Sequence, residues 1–252
     1  MLSEHDLARA LERIGVSAPV RFDEVTRSTQ LAAAELARAG CPEWTLVAAG
    51  HQTEGRGRLG RQWLDVPGEA LMFSLVLRPD LPPSRGGLLT LLAGWAVATG
   101  CQKAAGVRAT CRWPNDVLVA GAKVAGVLAE SVVEEARLSH VVLGVGVNLG
   151  AAPSGVPGAG ALGRVEPGEL LAGILEAFAS RYAPADPEFG ERVLRAYRDL
   201  CATLGRRVRA TTTGGALVEG TAVGLDGEGG LVVETPGGRE TVRFGEIEHL
   251  RG

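Results

Sequence analysis

Lysine is nearly absent from this 252-residue chain: of its 26 basic residues only Lys103 and Lys123 are lysines, the others arginine. Arginine served wherever a charge or a solvated stem sufficed, so a retained lysine points to a need for a compact, rotatable ammonium that a planar guanidinium does not copy. Lys103, in TGCQKAAGV, falls at a helix end and suits the helix dipole there. The chain also lacks a basic excess. Its formal net charge of -3 argues against a general nucleic-acid binder. Cysteine is sparse and scattered at positions 41, 101, 111 and 201, with no C-x-x-C pair and no histidine spacing for zinc. No metal site is expected from them, and reduced thiols in a cytoplasmic protein are. Long apolar runs are missing too: LLTLLAGWAVATG is too short to span a bilayer, and the acidic, amphipathic start MLSEHDLARALERIG is unlike a signal peptide, so no membrane role is expected.

What is present is a chain, 46% hydrophobic, that can bury a large core. Residues 4 to 14 read as a helix and PVRFDEV as a strand. STQLAAAELARAG is a helix that Ser28 or Thr29 can cap and that Gly40 and Pro42 close. TLVAAGHQ and ALMFSLVLRP read as buried strands, residues 84 to 104 as a long core helix, and VLVAGAKVAGVLAESVV and LSHVVLGVGVNLG as further strands before a Gly/Pro/Ala loop at 150 to 160. Helices near 167 to 182 and 187 to 202 follow. This irregular alternation, with hairpins, predicts an α+β fold with a mixed sheet. From Gly205 helical periodicity stops, and RRVRAT, ALVEGTAVGL, GLVVET and RETVRF read as a small β-meander, giving a division at 1–203 and 204–252.

The stretch HQTEGRGRLGRQW carries Gly55, Gly57 and Gly60 at the G-x-G-x-x-G spacing. No helix opens on its last glycine, because Pro67 and Gly68 follow, so a dinucleotide-binding turn is excluded. What remains is a glycine loop bearing Arg56, Arg58 and Arg61, either a solvated basic loop or a cradle for phosphate or carboxylate. In VLVAGAKVAG, a two-residue turn at Ala120 and Gly121 would set Leu118 opposite Lys123 and Asp116 opposite Ala125. The acid and the rare lysine then share a face at roughly 7 Å between backbones. Such a pair is either an ordinary surface ion pair or part of a site. Arg112, Trp113 and Asn115 adjoin Asp116, and Gly126 lies opposite Asn115 in that register. Gly144, Gly146 and Asn148 fall on one strand face, a floor without side chains that ends in an amide, as for something lying close against the backbone.

GRGRLGRQW, RWPNDVLV, KVAGVLAE and VVLGVGVNLG, in this order, resemble the biotin protein ligases, and the likeness runs over nearly the whole chain. The resemblance implies a catalytic core related to class II aminoacyl-tRNA synthetases, a C-terminal SH3-like barrel, and two reaction steps. Biotin and ATP would give biotinyl-adenylate and pyrophosphate, then a lysine of a carrier domain, that of acetyl-CoA carboxylase or another biotin-dependent carboxylase, would attack the adenylate. Ser28, Thr29 and Gln52 would bind biotin, with Gln30 where an asparagine is common. Arg56 and the amides of Gly57 and Arg58 would hold its carboxylate and the phosphate beside Gly55. Trp63 would cover the adenine or close over the ligand, and Gly126, Gly144 and Gly146 would line the pocket. Arg112, Asn115, Asn148 and Arg251 would meet ATP. Lys123, with Arg58, would neutralise charge on the transferring oxygens. Asp116 would orient or deprotonate the acceptor lysine, or touch the magnesium that accompanies ATP. Barely twenty residues precede the first strand, where repressor-type members carry a helix-turn-helix, so no DNA binding is expected. A homodimer is a family expectation. The rival readings are a lipoate or octanoate transferase and a non-catalytic sensor of biotinyl-adenylate.

Overall fold

The computed structural model describes residues 2–212, 214–243 and 245–250, with Glu246 given by its main chain alone. Helix α1 (Glu4–Glu12) starts at a capping box: Ser3 Oγ accepts from the Asp6 amide and the Asp6 carboxylate accepts from the Ser3 amide. Strands β1 (Val20–Thr26) and β2 (Leu46–Gln52) run parallel, which requires a crossover, and α2 (Thr29–Arg38) supplies it. The chain continues through β3 (Ala70–Leu77), α3 (Gly87–Ala105), β4 (Ala109–Arg112), β5 (Asp116–Val119), β6 (Ala122–Glu134) and β7 (Arg137–Asn148). These strands form one sheet in the order β1-β2-β3-β7-β6-β5-β4, antiparallel except at β1–β2. The mixed sheet expected from the sequence is therefore present. After α4 (Pro167–Ala179) and α5 (Phe189–Leu200), strands β8 (Arg207–Thr212), β9 (Leu217–Leu225), β10 (Leu231–Thr235), β11 (Gly238–Val242) and β12 (Gly245–His249) form a second, antiparallel sheet ordered β11-β10-β9-β8-β12.

The two faces of the large sheet are covered unequally. Helix α3 is apolar all round, as a helix surrounded by protein should be, and lies between the sheet, α4 and α5. On the opposite face α2 packs Ala32, Ala33 and Ala37 onto Val47, Val76 and Val142. Beyond the N-terminus of α2 that face runs on through Ser74, Gly144, Gly146 and Asn148, and there a cavity opens.

Two strands escape the sequence reading: β4 is only four residues long, and β12 is polar. The long core helix starts at Gly87 and not at 84, because Pro83–Arg85 forms a separate 3-10 turn. The β5–β6 hairpin turns at Ala120 and Gly121, both at positive φ, and Leu118 lies opposite Lys123 as expected. A bulge then leaves Val124 without a partner, so Asp116 lies opposite Gly126, not Ala125, and Gly126 is not opposite Asn115. The turn-to-strand link at Trp113 joins the two sheets: its amide donates to Thr203 Oγ1 at 3.0 Å and its indole Nε1 to the Gly229 carbonyl at 2.9 Å.

Candidate active site

A cavity of about 440 Å³, within the usual range for small-molecule sites, is floored by the glycine-rich face of β6 and β7. Its closed end is neutral and polar. Ser28 stands at the N-cap of α2, yet its side chain makes no capping bond, and Ser28 Oγ is buried without a partner among the described residues. Gln52 Oε1 accepts from the Thr29 amide at 2.7 Å and from Thr29 Oγ1 at 3.2 Å. Ser74 Oγ lies 2.9 Å from Thr29 Oγ1 and 3.1 Å from Gln30 Oε1. Gln30 donates to the Val142 carbonyl at 3.0 Å, so both ends of its amide are engaged by the protein. A Cβ on Gly144 would lie 2.5 Å from Gln30 Oε1, which is why that strand position carries no side chain. Ser74 was not anticipated; its signal is a lone hydroxyl within the otherwise apolar ALMFSLVL.

The other end is cationic. Asp116, largely buried, receives Lys123 Nζ on Oδ1 at 2.6 Å and the Arg112 guanidinium on Oδ2. The turn already sets Lys123 on the face of Asp116, and the bulge adds Gly126 to it: Lys123 and Gly126 are three residues apart and would face opposite ways on a regular strand, but the extra residue returns them to one face. Lys123 is fixed from behind by the 150–160 loop, its amide donating to the Gly158 carbonyl and its carbonyl accepting from the Gly160 amide, both at 2.8 Å. Asn115 Nδ2 donates to the Val127 carbonyl, and Asn148 Nδ2 to the Gly160 carbonyl, both at 2.9 Å, leaving Asn148 Oδ1 buried and without a partner among the described residues.

The arginine loop covers this end. It folds as a small hairpin, with Arg56 bridged to Gln62 and the Trp63 amide donating to the Gly55 carbonyl at 2.9 Å. Three features of the loop follow from this hairpin. Gly55 does not line the cavity; a Cβ there would collide with the Trp63 carbonyl oxygen, so its smallness serves the hairpin. The Gly57 amide, expected to face an anion, donates to the Arg61 carbonyl at 2.8 Å as the hairpin closes on itself, although Gly57 still forms cavity wall. Trp63 lies flat on the glycine floor, where a Cβ on Gly146 would be 2.5 Å from Cε2 and one on Gly126 3.3 Å from Cζ3. Arg58 donates to Asn115 Oδ1 and to the Gly245 carbonyl of β12, each at 3.1 Å, and Arg56 pairs with Glu130. The second sheet adds Arg209, Thr211 and Ile247 to the lining, a contribution that no local sequence signal marks. Arg251 lies outside the described residues.

No cysteine lines the cavity, and burial pushes the thiols of Cys111 and Cys201 up and that of Cys101 to about 12. A thioester route therefore has no thiol there. Among the described residues no three His, Cys, Asp or Glu side chains are grouped to hold a metal.

The profile of the Biotin/lipoate A/B protein ligase family matches residues 22–148, and that of the Biotin protein ligase C terminal domain matches residues 203–250. The chain belongs to the biotin protein ligase family. Among its relatives, the Bifunctional ligase/repressor BirA of Bacillus subtilis is 34% identical over 98% of this chain and 79% of its own length. The biotin–[acetyl-CoA-carboxylase] ligase of Mycobacterium tuberculosis is 34% identical over 92% of this chain and 90% of its own. The biotin protein ligase of Aquifex aeolicus, solved in complex with biotin and ATP, superposes with a TM-score of 0.74 at 25% identity, covering 93% of this chain and 99% of that one. In this chain the loop, the WPND segment, Lys123 and the glycine floor converge on one cavity.

Proposed function

We propose that this protein joins biotin to a lysine of a biotin carrier domain at the cavity described, in two steps. A biotin carboxylate oxygen attacks the α-phosphorus of ATP and pyrophosphate leaves; the acceptor amine then attacks the activated carbonyl, loses a proton, and AMP departs. The observation that carries this reading is the cavity's polarity: a neutral hydrogen-bonding end at the α2 N-terminus and a cationic end under the loop. A ligand with a neutral polar head and an acidic tail fits end to end.

Ser28 Oγ, Thr29 and Gln52 hold the head ring, with Gln30 and Ser74 bracing them. Arg56 and Arg58 hold the carboxylate and the α-phosphate, whose mutual repulsion is the obstacle to the first step. Lys123 follows the charge on the transferring oxygens, where such a group is worth roughly a hundred- to a thousandfold in rate. Trp63 separates ring and nucleotide, and Asn115, Asn148 and Arg112 meet the nucleotide. Asp116 orients: both of its oxygens are taken by Lys123 and Arg112, so accepting a proton or a magnesium ion would break an ion pair. The described residues do not form a magnesium cage, and the ion that accompanies ATP would be held by its phosphates. Residues 1–203 form the catalytic unit and 204–252 the C-terminal one. The free cysteines and the ATP requirement fit a cytoplasmic setting. A homodimer is tested by light scattering, and DNA binding is no part of the proposal.

The test incubates purified protein with ATP, magnesium, biotin and a biotin carrier domain, and follows the mass of the carrier. A gain of one biotinyl group supports the reading. Transfer of lipoate or octanoate without biotin overturns it.

A further inference from the structure

We infer that Glu130 is a positioning residue for this reaction, holding the Arg56 guanidinium end-on so that its remaining N–H groups stay available to the ligand's anionic end. The inference rests on the proposed role of Arg56. Glu130 alternates with Gly126 and Leu128 along β6 and so shares the cavity face of the sheet, one step outside Leu128, which lines the cavity. Its two carboxylate oxygens meet the two terminal nitrogens of Arg56, Oε2 to Nη1 at 3.2 Å and Oε1 to Nη2 at 3.1 Å. A guanidinium has five N–H donors. One N–H, on Nη1, donates to Oε2 while Nη2 lies in ionic contact with Oε1, so Glu130 faces the far end of the guanidinium and Nε–H has no partner among the described residues. Nε–H and the adjacent terminal N–H form a second fork, suited to a carboxylate or phosphate oxygen pair. Glu130 and the ligand therefore do not compete for one edge.

The pair is half exposed, 44% and 38% for the two side chains, so it contributes little to stability. Its effect lies elsewhere. Arg56 stands between Gly55 and Gly57 on a surface hairpin, and its long side chain has many rotamers to lose when it binds. Pairing it in advance moves part of that entropic cost from ligand binding to folding. The expected consequence is a rise of about three- to tenfold in KM for biotin in Glu130→Ala, with kcat within about twofold of wild type.

The experiment measures biotin-dependent pyrophosphate release and carrier labelling for wild type, Glu130→Ala, Glu130→Gln, Arg56→Ala and the double variant Glu130→Ala/Arg56→Ala. Glu130→Gln keeps one acceptor oxygen and should fall between wild type and Glu130→Ala. In the Arg56→Ala background the Glu130 substitution should add nothing. An unchanged or lowered KM in Glu130→Ala, or an effect that persists without Arg56, overturns the inference. A wild-type protein that labels no carrier refutes the functional reading itself, a separate outcome.

Discussion

Replacing Gly146 with alanine tests whether the glycine floor exists to seat Trp63. The added Cβ would stand 2.5 Å from Trp63 Cε2, 2.6 Å from Cζ2 and 2.9 Å from Nε1. Carbon atoms pack at about 3.5 to 4.0 Å, so the indole must retreat by about 1 Å. The strand does not give way, because Gly146 pairs with Met72 on one side and with Gly126 on the other. Relief must come from the loop, which also holds Arg56 and Arg58. Overpacking of this kind costs about 1 to 3 kcal/mol, which corresponds to a loss of roughly five- to 150-fold in kcat/KM for biotin. The backbone tolerates the change, since Gly146 is not at positive φ, and alanine in a strand interior gains about 0.5 to 1 kcal/mol over glycine. Activity should therefore fall while the melting temperature holds within a few degrees. Pyrophosphate release and calorimetry on the same preparation read both quantities, and repeating the substitution in a Trp63→Ala background should abolish most of the kinetic effect. A Gly146→Ala protein with wild-type KM and kcat, or an equal loss in the absence of Trp63, refutes the packing argument.

Lys123→Ala should lose roughly a hundred- to a thousandfold in kcat, and Lys123→Arg, which retains the charge, should still lose about tenfold or more because a planar fork does not track moving oxygens; wild-type turnover in the arginine variant would defeat the argument from lysine scarcity. Trp113→Phe strands the Gly229 carbonyl and should cost about 1 to 3 kcal/mol in urea unfolding, with an unchanged midpoint counting against an inter-sheet tie at this residue. Burial first, then the charges of Arg112 and Arg206, hold the His249 imidazole below its ordinary 6.5. Burial and then Arg78 act on His140 in the same direction. The unfolded chain therefore takes up protons that the folded one resists, so stability from these groups is complete above pH 6.5 and is lost as pH falls below it. His249→Gln should flatten the decline in urea-unfolding free energy between pH 7 and 5, and an undiminished slope would rule out His249 as a source.

What could be read in advance depended on range. The meeting of Lys123 with Asp116 follows from a two-residue turn, and the positive φ angles of Ala120 and Gly121 show that turn in place. The bulge at Val124 was not readable, yet it preserves the conclusion, because it shifts partner and face together. Gly144 and Gly146 announced a close approach, but not what approaches: Gln30 and Trp63 arrive from α2 and from the loop, segments distant in sequence. The packing of Gly55 against Trp63 and the bond from the Gly57 amide to Arg61 were not readable, because the loop's internal hairpin, set by Arg56 and Gln62, leaves no periodic signal. The contribution of Arg209, Thr211 and Ile247 depends on how the second sheet docks, which Trp113, Thr203 and Gly229 fix through contacts some ninety or more residues apart in the chain.

The contrast between arginine and lysine acquires a structural meaning at the site. Arg58 and Arg56 each spend part of a rigid fork on the protein, on Asn115 Oδ1 and the Gly245 carbonyl in one case and on Glu130 in the other. A guanidinium tied in this way is held in a fixed direction, which suits an anion that must be held still. Among the described residues the Lys123 ammonium is tied to a single acceptor, Asp116 Oδ1, and it can turn about the end of its stem while that contact persists. During adenylation, negative charge moves from the carboxylate to the departing pyrophosphate, and during transfer it moves to AMP. A rotating donor can follow that displacement without a change of rotamer, whereas two anchored forks cannot. In a chain that uses arginine almost everywhere else, a lysine at position 123 is what the proposed role, following a moving charge, requires.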